Sequence, residues 1–68
     1  QALKDFLKAA SLDKSNAEAI ANIGYIISSM GDKQTALQYL EQASTLYLEQ
    51  GNIEGFEKVS NTIIKINN

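Results

Sequence analysis

The chain contains no cysteine, no histidine, no proline and no arginine. Each absence removes a class of structure or chemistry. Without cysteine there is no disulfide to staple a small fold, and without cysteine or histidine a structural zinc site is not expected. A Ser-His or Cys-His nucleophile pair cannot be assembled either. Without arginine, and with a net charge of −2, the basic face of a nucleic-acid binder is missing. No apolar run approaches the ~20 residues that span a bilayer. No charged, apolar, small-residue sequence of a secretory signal opens the chain. No segment alternates apolar and polar residues over a useful length, so no strand is expected.

What remains is a chain of 68 residues with 44% hydrophobic residues. That content fits a folded chain rather than a disordered one. A domain of this size buries only roughly 60% of its unfolded surface and is marginal on its own. The helices therefore pack unusually well, associate with other copies, or belong to something longer. The opening at Gln1, with no helix cap before it, reads as a piece of a longer protein, and a cytoplasmic setting is expected before a secreted one.

Helical periodicity covers nearly everything. Residues 1–13 place Leu3, Phe6, Leu7 and Ala10 on one broad face, with Ala2, Ala9 and Leu12 less regularly placed. Ser15 and Glu18 have the spacing of a capping box, which predicts Ser15 as the start of a second helix. Its stripe is Ile20, Ile23, Ile27 and Met30, widened by Ala19 and Ile26. Gly31 suits the left-handed residue that ends a helix. Asp32 is placed to cap a third helix, with a stripe of Ala36, Leu37, Leu40, Ala43, Leu46 and Tyr47. Gly51 closes that helix and Asn52 caps a fourth, with a stripe of Ile53, Phe56, Val59, Ser60, Ile63 and Ile66.

The sequence then repeats itself. Moved forward by 34 positions, Ala2, Leu3, Ala9 and Leu12 fall on Ala36, Leu37, Ala43 and Leu46, and Phe6 falls on Leu40. Moved by 36, Glu18, Ile20, Ile23, Gly24 and Ile27 fall on Glu54, Phe56, Val59, Ser60 and Ile63. The first helix copies the third and the second copies the fourth.

A 34-residue period of helix pairs is that of the tetratricopeptide repeat, and residues 17–50 resemble one such repeat. The family's signature residues are matched by Ile20, Ile23, Gly24, Ile27, the turn Gly31-Asp32, Ala36, Leu40 and Ala43, with Phe56 repeating Ile20. Leu48 stands where the family usually has proline, so the third helix should run about a turn longer. The resemblance implies an all-α fold, antiparallel helix pairs of a right-handed solenoid in the order B-A-B-A. Residues 1–16 would then be the second helix of an incomplete repeat, 17–50 a complete repeat and 51–68 a capping helix. It also implies a close contact between Gly24 and Ala36.

In that family the A helices line a concave groove that takes a peptide or a helix of another protein. Carried over, the groove candidates are Glu18, Ala21, Asn22, Tyr25, Ser28 and Ser29 on the second helix. On the fourth they are Glu54, Glu57, Lys58, Asn61 and Lys65. Tyr25 leads, because tyrosine combines apolar area with a polar tip and is enriched at binding hot spots. Asn22 matches an asparagine used by carboxylate-gripping members, but Glu57 stands where a lysine would be needed, so no carboxylate clamp is expected. The implied partner is a protein or peptide, with no nucleic acid, membrane, cofactor, metal or catalysis. The alternatives are a structural cap of a longer solenoid, or a homodimer through the N-terminal edge, where Leu3, Phe6 and Ala10 lie. Glu54 and Glu57 read as a solvated face near a helix N-terminus, where negative charge is favourable. The stretch 51–55 lacks the Gly-Lys-Ser/Thr ending of a phosphate loop.

Overall fold

A computed structural model describes residues 2–68, with side chains from residue 3 onward. Four helices follow one another: α1 (Ala2–Leu12), α2 (Ala17–Ser29), α3 (Lys33–Glu49) and α4 (Ile53–Asn67). There is no strand among the described residues. Gln1, and the side chain of Ala2 in the predicted first stripe, lie outside the described residues.

The turns explain the topology. Before α2, α3 and α4, the side chains of Asn16, Asp32 and Asn52 accept a hydrogen bond from the backbone N–H three residues on, at 3.0, 3.2 and 2.9 Å. Each satisfies an N–H that the helix itself leaves free. The cap bond from Thr35 holds the exposed Asp32 carboxyl below its ordinary range, and bonds from the Ser15 hydroxyl and N–H do the same for the exposed Asp13. Gly31 and Gly51 sit at φ 95° and 74°. There they let the Asp32 and Asn52 N–H groups reach back to the Ile27 and Tyr47 carbonyls at 3.3 and 2.8 Å. Such short connections start each helix close to the end of the last, and consecutive helices pack against one another. A bond from Gln50 Nε2 to the Ser15 carbonyl, 2.7 Å long, ties the start of α2 to the end of α3 and closes that arrangement.

The first turn departs from expectation. Asn16, not Ser15, caps α2. Ser15 is engaged by Asp13, whose Oδ1 accepts from both its N–H at 3.0 Å and its hydroxyl at 2.7 Å. Starting the helix one residue later moves Glu18 from the third to the second helical position, so no reciprocal capping box forms. Glu18 keeps a place in the first turn, which favours a carboxylate.

The core lies where α2, α3 and α4 meet. Ile20 and Ala21 from α2, Leu40 and Ala43 from α3 and Val59 from α4 form one cluster. Ile23 and Ala36 are fully buried beside it. Among the described residues no polar side chain is buried. The helix α1 packs against α2, and its Leu3, Phe6, Ala9 and Ala10 are half-buried. Ile27 and Phe56 are likewise half-buried.

Gly24 makes the predicted close approach, with a different principal neighbour. A methyl group there would lie 2.7 Å from Leu40 Cδ2 and Cγ, and 3.3 Å from the Ala36 carbonyl oxygen. Leu40 fills the notch, and Ala36 contributes its backbone. Four residues leave their predicted faces, and Leu7 of α1 is one of them, at 43% exposure. Met30 is 69% exposed because it is the C-cap of α2, beyond the last packed turn. Ile53 is 52% exposed because the cap at Asn52 sets it at the first helical position, turned from the core. Leu12, the last residue of α1, is 79% exposed. As expected, α3 runs past Leu48 to Glu49.

The molecule measures 30 × 29 × 14 Å. Its thinnest dimension matches two helix backbones, each ~2.3 Å in radius, with axes about 9–10 Å apart.

Candidate functional site

The site is a groove of about 210 Å³ lined by Glu18, Ala21, Asn22, Tyr25, Tyr47, Gly55, Lys58 and Val59. Most of its lining comes from α2 and α4, which are not consecutive, and Tyr47 comes from α3 between them in the chain. On α2, positions 18, 21, 22 and 25 follow the three- and four-residue spacing of one helical face. On α4, positions 55, 58 and 59 do the same. Ala21 and Val59 close the bottom as members of the core, at 2% and 1% exposure. The polar residues stand above them.

Tyr47 reaches the groove from α3 because Gly55 has no side chain. A Cβ on Gly55 would meet Tyr47 Cδ1 and Cε1 at 2.7 Å and Cγ at 2.9 Å. The tyrosine ring thus lies against the α4 backbone, in space that any other residue at position 55 would contest. Its hydroxyl is pushed above the ordinary tyrosine range, first by burial, then by the Glu18 charge and by Tyr25. The carboxylate of α2 and the phenol of α3 therefore share one electrostatic environment.

Of the predicted site residues, Glu18, Asn22, Tyr25 and Lys58 come together here. Ser29 does not: it is exposed at the end of α2, and its hydroxyl donates to the Ile26 carbonyl at 2.7 Å. Glu57, Asn61 and Lys65 are exposed on α4 away from the lining. Sequence reasoning missed Tyr47 and Gly55. Tyr47 reads as one more stripe residue of α3. Gly55 carried a signal, since glycine inside a helix costs ~1 kcal/mol relative to alanine and so marks a close approach.

A second depression of about 290 Å³ is lined by Thr35, Gln38, Tyr39 and Gln42, all from α3. Walls drawn from one helix face form a shallow dish, and none of its residues is charged. Among the described residues no group of three or more acidic, histidine or cysteine side chains is arranged to hold a metal ion. No helix there is long and apolar enough to cross a membrane. Compared with known proteins, the chain matches no family model, no curated protein and no solved structure.

Proposed function

We propose that the chain is a tetratricopeptide-like interaction module, its helices ordered B-A-B-A in a right-handed solenoid, that holds a peptide or short helix of another protein. The binding surface is the groove between α2 and α4. One observation carries the reading: side chains from two non-consecutive helices, Glu18, Asn22 and Tyr25 with Lys58, converge over a tyrosine floor. The 34-residue self-similarity supports it independently, because a stack of like helix pairs presents like helices along one face. The reading assigns no catalysis, cofactor, nucleic acid or membrane to the site, on the compositional grounds given above.

Selection of a displayed peptide library against the folded chain tests this. Binders should lose about 30-fold in affinity on Tyr25→Ala, the cost of a ~2 kcal/mol hot spot. Tyr39→Ala, on the α3 dish, should leave them unchanged. Equal losses from both substitutions would contradict the assignment.

A second reading, association of two copies along α1, draws on Leu7 and Leu12, which stand exposed on that helix. Sedimentation of the chain over a wide concentration range separates the two, since a strict monomer removes it.

A further inference from the structure

The groove carries one charge of each sign, on opposite walls, and neither is spent. Glu18 belongs to α2 and Lys58 to α4. Among the described residues the side chains of Glu18, Lys58, Asn22, Tyr25 and Tyr47 take no part in the side-chain hydrogen bonds. Five polar side chains thus converge on one space, with the two charges carried by different helices.

Resting on the peptide-binding reading above, we propose that the groove selects a segment carrying both signs of charge: a basic side chain for Glu18 and an acidic side chain for Lys58. A segment of one sign meets one attraction and one repulsion inside the same space. A segment of both signs meets two attractions. The neighbouring Glu54 and Glu57 are exposed on α4 outside the lining; within a Debye length of it they add negative potential, so of the two single-sign peptides the basic one should bind the better. The rings of Tyr25 and Tyr47 offer apolar area for the aliphatic stems of such side chains, while the charged heads reach the walls. The pKa of Tyr47 is raised first by burial and then by the charge of Glu18, which shares the groove with it.

The test uses four acetylated, amidated hexapeptides: alternating Lys and Glu, alternating Lys and Gln, alternating Glu and Gln, and all Gln. Each is titrated into the intact chain at physiological salt, where the Debye length is about 8 Å, while the amide NMR signals are followed. The mixed-charge peptide should bind about fivefold more tightly than either single-sign peptide, as expected for a partly exposed pair. Glu18→Gln should remove its advantage over the Glu/Gln peptide. Lys58→Met should remove its advantage over the Lys/Gln peptide. Best binding by a single-sign peptide, or equal binding by the mixed and all-Gln peptides, overturns the inference and leaves the groove reading standing. No movement of the groove signals with any of the four overturns both.

Discussion

The two helical glycines make the same contact for different ends. Gly24 admits Leu40, which is completely buried, and the result is a sealed junction between α2 and α3. Gly55 admits Tyr47, which is half-buried, and the result is part of the floor of the open groove between α2 and α4. In both places a hypothetical Cβ would come within 2.7 Å of a side chain. What differs is the neighbour's freedom to move. Leu40 is surrounded by core and cannot yield without disturbing Ile20 and Ala43. Tyr47 has groove space beside it. One close approach therefore holds the fold, and the other shapes a surface.

The largest expected effect comes from removing the sealed neighbour. Leu40→Ala should destabilise the chain by about 2–5 kcal/mol, because the cavity it leaves is enclosed. For a domain this small that is a large share of its total stability, and chemical denaturation measures it. The next effect is a contrast. Gly24→Ala gains ~1 kcal/mol of helix propensity but forces an overpacked contact costing roughly 1–3 kcal/mol, so it should destabilise or at best break even. Gly55→Ala meets a ring that can swing aside, so its stability should hold or rise while peptide binding in the groove weakens. Equal stability losses at the two glycines would erase the distinction.

The smallest effect is electrostatic. Tyr47 has its pKa raised in the folded chain, first by burial and then by the Glu18 charge. Its contribution to stability is therefore fully present below the unfolded tyrosine value of ~10 and is lost as pH rises through the folded one. Ultraviolet titration should show one phenol ionising late. Because burial is the larger cause and Glu18 the next, Glu18→Gln should bring it only part of the way back.

The helices were legible because their punctuation is local. Gly31, Asp32, Gly51 and Asn52 mark their turns by backbone requirements that no distant contact overrides. Where two polar residues compete for one cap, as Ser15 and Asn16 do, the choice depends on Asp13 capturing the serine, and spacing alone does not reveal that. The stripe residues Met30 and Ile53 fit the helical period, yet each stands at a helix end where the period outlasts the packing. The groove was half legible. Glu18, Asn22, Tyr25 and Lys58 follow from repeating one helix face at the next like helix. Tyr47 does not, because its entry depends on a missing side chain at Gly55 on another helix. Ser29, Asn61 and Lys65 lie beyond the last lining residues of their helices, and Glu57, between Gly55 and Lys58, is exposed outside the lining.

The central claim is that recognition occurs between α2 and α4 over Tyr47. The most direct measurement is to titrate a library-selected peptide into the chain while recording its amide NMR signals. The account predicts that the shifts concentrate at Glu18, Asn22, Tyr25, Gly55 and Lys58. Shifts centred instead on Thr35, Gln38, Tyr39 and Gln42 would contradict it.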